Sequence, residues 1–401
     1  MKVLILTTDA GGGHRSVARA LTAGFEEVGA GACDVEVVDY LARYAPFPLC
    51  HARELYSFLM RYPLLYDMIY EATNTRRSRA VNAPAVALAM EAGIRRLLRD
   101  HSPDVIVATH PLGAAALTNL LYRRREALPY HTVVTDYGAL HAWWAFPFGE
   151  TWFAPGQETA DELVRAGVPA RRVVVSGYPV HSRFARPTRP AAEIRLSLGL
   201  APDRFTVLLA GGAEGVGPLE ETSRELAATP APWQLIVVTG RNRSLKERLE
   251  AQVGRWPVPV RVDGLVDDMP GRMHAADLLL GKAGGSTLSE ALTCNLPMLL
   301  INVLPGQEEE NARHFVRLGV ARPVADPAQA RAAIADLAAP GNPALRQMVT
   351  CAQSAAHPHA SLQIARHVLA QGTKATAAPV PLLFGLHLLE ARIRRRKDKM
   401  K

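Results

Sequence analysis

Two successive series of strand-like runs, each alternating with helical patterns, constrain this chain more than any other feature. In the first half, apolar runs fall near residues 2–8, 34–39, 104–109, 130–135 and 172–176. The second half repeats the alternation near 205–210, 234–239, 258–262, 278–280 and 297–302. Strands separated by helices pair in parallel, with the crossover helices covering both faces, so each half is expected to form a doubly wound α/β domain. The stretch Phe184-Ala185-Arg186-Pro187-Thr188-Arg189-Pro190, where prolines break the periodicity, reads as the joint between them. The expected division is residues 1–186, residues 187–355, and a C-terminal helix with a basic tail over 356–401. At 401 residues and 48% hydrophobic, the chain is long enough for two domains, each with a core of its own. Two such domains face each other across a cleft at the carboxyl ends of their strands, where open α/β sheets bind ligands.

Glycine turns mark that cleft. Thr7-Thr8-Asp9-Ala10-Gly11-Gly12-Gly13-His14 follows the first run and leads into Ser16-Val17-Ala18-Arg19-Ala20-Leu21, which has helical spacing. Three glycines let the backbone come close to a ligand or a neighbouring loop. The histidine at the mouth of the turn has a pKa near neutrality and can take a proton. A tight turn with a surface histidine accounts for the same residues.

The second half carries the more specific arrangement, Leu278-Leu279-Leu280-Gly281-Lys282-Ala283-Gly284-Gly285-Ser286-Thr287-Leu288-Ser289-Glu290. Strand, glycine turn and helix in that order present backbone N–H groups and a positive helix end to an anion, which suits a diphosphate. Glu290, one turn into the helix, is within reach of ribose hydroxyls. A further turn, Ala210-Gly211-Gly212-Ala213-Glu214-Gly215, is placed to close over the other side of a nucleotide. There is no Walker arrangement and no opening G-x-G-x-x-G, which counts against ATPase and dehydrogenase readings. In Leu304-Pro305-Gly306-Gln307-Glu308-Glu309-Glu310-Asn311, an acidic helix N-terminus explains Glu308 to Glu310. The adjacent amide of Gln307 is suited to sugar hydroxyls.

Composition narrows the setting. Cys33, Cys50, Cys294 and Cys351 form no CxxC pair, which argues against a zinc site or a disulfide framework and for a reducing, cytoplasmic compartment. No stretch has the pattern of a secretory signal or the length of a membrane span. The net charge of +8 is concentrated at the end, where Arg392, Arg394, Arg395, Arg396, Lys397, Lys399 and Lys401 face only Glu390 and Asp398. The body is therefore only mildly basic, which argues against a nucleic-acid partner. Leu382, Leu386, Leu389 and Ile393 lie on one helical face just before the basic run. An apolar stripe running into arginines suits an anionic membrane surface, and a solvated or partner-binding tail is the alternative. Residues 41–73 break the alternation with a crowd of aromatic and aliphatic side chains that includes Tyr62 and Tyr66. Such a stripe is either core or a lipid-facing excursion, and its tyrosines favour an interface.

The run Thr8-Asp9-Ala10-Gly11-Gly12-Gly13-His14-Arg15-Ser16 resembles the N-terminal signature of the monogalactosyldiacylglycerol synthase and processive diacylglycerol glucosyltransferase family (glycosyltransferase family 28). Further matches are Val134-Thr135-Asp136, His141 with Trp143 and Trp144, Gly177-Tyr178-Pro179-Val180, Gly284 to Glu290, and Pro305-Gly306-Gln307-Glu308. They run in order from residue 5 to about 315. The related lipid II-forming peptidoglycan glycosyltransferase is similar mainly in the second half.

The resemblance implies a GT-B fold, two Rossmann-like doubly wound domains facing a cleft. It implies inverting transfer of galactose or glucose from UDP-galactose or UDP-glucose to diacylglycerol, by an enzyme peripheral on the inner face of the cell membrane. The alternatives are another nucleotide-sugar enzyme of the same fold (a lipid II-type N-acetylglucosaminyl transferase or a UDP-sugar epimerase) and a non-catalytic UDP-sugar-sensing membrane protein. By position, His14 is the expected general base, and Asp136 orients the acceptor or His14, or is simply a cap or buried ion-pair partner. Gly285, Ser286 and Thr287, with Gly212 opposite, would hold the diphosphate, Glu290 the ribose, the Val266 backbone the uracil, and Gln307 and Glu308 the hexose. Gly13, His141, Trp143, Tyr62 and Tyr66 fall on the acceptor and membrane side. No Asp-x-Asp motif is present, so no metal or other cofactor is expected.

Overall fold

A computed structural model describes residues 1–376, apart from 10–12, 60–61, 125 and 304–305. The basic tail, Gly11, Gly12, Leu304 and Pro305 therefore lie outside the described residues.

The first sheet consists of β1 (Lys2–Thr7), β2 (Asp34–Asp39), β3 (Val105–Ala108), β4 (Tyr130–Val133), β5 (Thr151–Ala154) and β6 (Val173–Val175). All pairs are parallel, in the order β2-β1-β3-β4-β5-β6. The second sheet consists of β7 (Phe205–Ala210), β8 (Trp233–Val238), β9 (Val260–Asp263), β10 (Leu278–Gly281), β11 (Met298–Leu300) and β12 (Ala321–Pro323). Its order is β12-β11-β10-β7-β8-β9, again all parallel. Val3 to Leu6 and Val207 to Leu209 are fully buried, as strands covered by helices on both faces must be. This is the expected α/β architecture, with two additions. β5 and β12 were not among the expected strands; the first opens with Thr151 and Trp152 and not with an aliphatic run, and the second ends in Pro323 at the sheet edge, where a missing N–H is tolerated.

Strand order fixes where ligands can enter. The order reverses between β1 and β3 in the first sheet and between β7 and β10 in the second. At such a switch point the connecting helices leave on opposite faces and open a crevice beyond the strand ends. The helix that carries His14 is the next described element after β1, and Gly212 and Gly284 follow β7 and β10, so His14 and both glycines lie at switch points.

Residues 40–73 do leave the alternation. They form the helices Tyr40–Tyr44, Ala52–Leu59 and Pro63–Thr73. Tyr40, Leu41, Tyr44 and Leu59 point into the domain, while Phe47, Leu55, Phe58, Tyr62, Leu65, Met68 and Ile69 remain exposed. The core reading therefore holds for the first group, and the second group leaves an exposed apolar face.

The chain closes on itself at its other end. The helix Ala360–Gln371 crosses from the second domain and packs on the helix Gly13–Gly29 of the first, where a Cβ on Gly24 would stand 2.7 Å from the Ser361 carbonyl oxygen. Only glycine permits that approach. Thr376 then donates its backbone N–H to Glu150 at 2.6 Å. As a result one apolar core runs from Val3 and Val17 through Ile364 to Leu288 and Leu300, joining both sheets.

Candidate active site

The helix Gly13–Gly29 starts at the first switch point and carries His14 on its first turn. The His14 ring stands edge-on to His110 with centroids 5.2 Å apart, and its Nδ1 lies 3.4 Å from Thr135 Oγ1. Burial pushes the imidazole down to about 4, against the raising effects of the Thr109 backbone and the charge of Asp39. His14 is therefore neutral near pH 7 and has a lone pair to accept a proton. His110 is held in turn by the Tyr40 hydroxyl, 2.8 Å from its Nδ1, and burial lowers its pKa well below the usual histidine range.

The opposite wall is the turn before the helix Gly285–Thr293, whose N-terminus no side chain caps. The two walls touch here. Ser286 Oγ donates to the Gly13 carbonyl oxygen at 3.2 Å and lies 2.8 Å from the Tyr178 hydroxyl. A Cβ on Gly285 would stand 3.0 Å from the Thr135 carbonyl oxygen, so the glycine permits the close approach. Thr287 follows on the same first turn. Glu290, one turn on, accepts a 2.6 Å hydrogen bond from Ser16 Oγ, and burial raises its carboxyl to about 7 despite that bond.

Lys282 is a residue the sequence reading missed. It extends from the end of β10 between the two glycine turns of the second domain. Its Nζ pairs with Glu308, and its Cε would lie 3.3 Å from a Cβ on Gly212. A cation is thus placed beside the helix end that suits an anion. It was not recognised because the Walker pattern puts lysine after the glycines, whereas here it precedes them. Arg53 was missed as well. It reaches from the excursion to Asp9 at 3.4 Å and to Glu214 of the second domain at 4.0 Å.

Asp136, just past β4, is 7% exposed and does not contact His14 through any described hydrogen bond. Its Oδ2 accepts from Trp144 Nε1 at 2.6 Å, and its Oδ1 accepts from the Gln307 amide of the second domain. Burial raises the carboxyl to about 6, opposed by these two hydrogen bonds. Gln307 and Glu308 open the helix Gln307–Arg317 facing this point. Val266 follows β9, half-buried at the carboxyl end of the second sheet.

The remaining candidates lie farther into the first domain. His141 Nε2 is 3.1 Å from Thr73 Oγ1, and the ring packs edge-on to Tyr70, tying the excursion to the domain. Trp143 is buried and stacked on Phe146. Tyr62 is exposed beside Phe58. Tyr66 belongs to the helix Pro63–Thr73, and its side chain lies outside the described residues. Among the described residues no group of three or more His, Cys, Asp or Glu is placed to hold a metal ion.

The cleft, with the neutral His14 imidazole on one lip and an uncapped helix N-terminus on the other, lies between two sheets of known architecture. Acinetobacter baumannii MurG superimposes with a TM-score of 0.60 at 16% identity, over 92% of this chain and 99% of that one. The two facing sheets are those of the GT-B fold. Sequence comparison narrows the class. Residues 14–180 match the family described as monogalactosyldiacylglycerol (MGDG) synthase, and residues 206–360 match the glycosyltransferase family 28 C-terminal domain. Monogalactosyldiacylglycerol synthase 1 of Arabidopsis thaliana is 32% identical over 90% of this chain and 69% of its own length. The Spinacia oleracea synthase is 32% identical over 90% and 71%. The chain belongs to the monogalactosyldiacylglycerol synthase family.

Proposed function

We propose that this protein transfers a galactosyl group from UDP-galactose to diacylglycerol at a membrane surface, inverting the anomeric carbon. The observation that carries the reading is the contact between Gly13 and Ser286, which sets His14 beside the helix terminus suited to a diphosphate. A proton acceptor and a leaving-group site then share one opening. His14 takes the acceptor hydroxyl proton as that oxygen attacks the anomeric carbon and the bond to UDP breaks. The charge left on UDP is received by the N–H groups of Gly285 to Thr287 and by Lys282. The bound diphosphate in turn favours the imidazolium that forms.

In this reading the Val266 backbone pairs with uracil, and Glu290 exchanges Ser16 for ribose hydroxyls. Gln307 and Glu308 hold the hexose. The reading assigns charge stabilisation to the chain itself and requires no metal. The names of the plant relatives favour galactose over glucose. The exposed apolar side chains of 47–69 supply a lipid-facing surface, and the basic run after Glu390 would add attraction to anionic lipids. Attachment is peripheral, on the cytoplasmic face of the cell membrane. Among the described residues no helix is long and apolar enough to cross a membrane.

Incubation with labelled UDP-galactose or UDP-glucose and diacylglycerol vesicles, followed by separation of the lipids, tests the proposal. Label in galactosyldiacylglycerol is expected. Label confined to glucosyldiacylglycerol overturns the choice of sugar, and no labelled lipid from either donor overturns the activity.

A further inference from the structure

Asp136 and Gln307 belong to different domains, 171 positions apart, yet the carboxylate of one meets the amide of the other inside the cleft. The bond is held from both sides. On the first domain, Trp144 donates to the other carboxylate oxygen at 2.6 Å, fixing the plane of the carboxyl group. On the second, Gln307 lies at the start of a helix that is itself seated against the residue after Asp136. Tyr137 N–H donates to Asn311 Oδ1 at 3.1 Å, the Tyr137 hydroxyl lies 2.8 Å from Ser289 Oγ, and Asn311 donates to the Ala283 carbonyl at 3.0 Å. The Tyr137 ring also stacks on His314 of the same helix with centroids 4.7 Å apart. Residue 136 is therefore held in register with residue 307 whenever the domains are seated as they are here.

The hydrogen-bonding chemistry of the amide follows. An ionised carboxylate only accepts, so it must meet the NH₂ side of Gln307. With one N–H used on Asp136, the amide keeps its carbonyl oxygen and its second N–H for a ligand, and their placement is no longer free to interchange by a flip. A glutamine whose orientation is set can tell a hydroxyl that donates from one that accepts. A rotating amide cannot.

We propose that Asp136 is a positioning residue for donor-sugar recognition: it orients the Gln307 amide across the cleft, so that the hexose is read only when the two domains are seated. This rests on the reading of Gln307 as a hexose ligand. It assigns Asp136 to the donor side of the reaction, distinct from any role in orienting His14.

The test compares UDP with UDP-galactose by titration calorimetry on the full-length protein, in wild type, Asp136→Asn, Gln307→Ala and the double variant. Trp144 and Gln307 donate to different carboxylate oxygens, and asparagine turns one of those two positions into an NH₂ donor, so it cannot accept at both. Asp136→Asn is expected to weaken UDP-galactose binding about tenfold while leaving UDP binding unchanged, because UDP lacks the hexose. In the Gln307→Ala background, the Asp136 substitution should cost nothing further. Equal weakening of UDP and UDP-galactose in Asp136→Asn, or fully additive losses in the double variant, overturns the proposal. Trp144→Phe gives a second route: it keeps the carboxylate but frees one oxygen, and a smaller selective loss for UDP-galactose is expected. If Asp136→Asn does not fold, an unchanged UDP-galactose to UDP affinity ratio in Trp144→Phe overturns the proposal. Failure of wild-type protein to bind UDP-galactose more tightly than UDP would instead overturn the assignment of a hexose site, a separate outcome.

Discussion

Ser16 on the first helix of one domain donates a 2.6 Å hydrogen bond to Glu290 in the other, at the position expected to hold a ribose. Burial raises the Glu290 carboxyl from its ordinary 4.5 to about 7. The folded chain thus keeps a proton that the unfolded chain has already lost between those values. The stability this group contributes is present below about 4.5 and is lost as pH rises through about 7. Glu290→Gln cannot ionise and still offers Ser16 an acceptor. Its melting temperature relative to wild type should climb between pH 5 and pH 8, by about 2 °C or more. A difference that stays constant over that range would show that the carboxyl is not held up by burial.

His14 has a different dependence. Its neutral form prevails above about 4, so the proton acceptor is available throughout the neutral range. His14→Ala should lower transfer about 100- to 10,000-fold, the usual contribution of a general base, with UDP affinity retained. Near-normal transfer by the variant would remove His14 from the base role.

On the proposed reading, Lys282 and the helix end beside it would bind the phosphate groups and should be silent toward the nucleoside. Lys282→Gln is expected to weaken UDP binding about tenfold, the scale of one charge-assisted hydrogen bond. Uridine binding should not change. A parallel loss for uridine would mean that the lysine supports the fold of the turn and not the ligand.

Phe58 and Met68 are 50% and 69% exposed on neighbouring helices of the excursion. Replacing both with aspartate removes apolar surface without opening the core, so thermal stability should hold while flotation with lipid vesicles falls about tenfold or more. Unchanged flotation would move membrane contact away from this face. Truncation at Pro381 separates the contribution of the basic tail, and its effect should grow with the fraction of anionic lipid.

Much of this was readable along the chain. The strand runs, the glycine turns beyond β1, β7 and β10, and the break in pattern at residues 41–73 are local features, each set by residues within a few positions of one another. Thr151 to Ala154 and Ala321 to Pro323 escaped because Thr, Trp, Arg and Pro interrupt their apolar character, whereas the equally short Val173 to Val175 and Met298 to Leu300 are unbroken apolar runs. Lys282 escaped because its meaning depends on reaching back toward Gly212 from the end of β10. Trp143 shows the opposite limit. Its neighbourhood carries the family resemblance, yet the side chain itself is buried on Phe146.

By itself the sequence determined that there would be two parallel sheets, that glycine-bearing segments would precede helices, and that a histidine would stand at one helix start and an uncapped glycine-led helix start would stand at another. Periodicity and turn chemistry act over a few residues, so they can be read without knowing where distant parts of the chain go. Tertiary structure decided which of these parts meet. It set Ser286 on Gly13, Ser16 on Glu290 and Asp136 on Gln307, and it returned the last helix to Gly24. These pairs lie far apart in the chain, and their contacts exist only because one apolar core joins the two sheets and holds their switch points face to face.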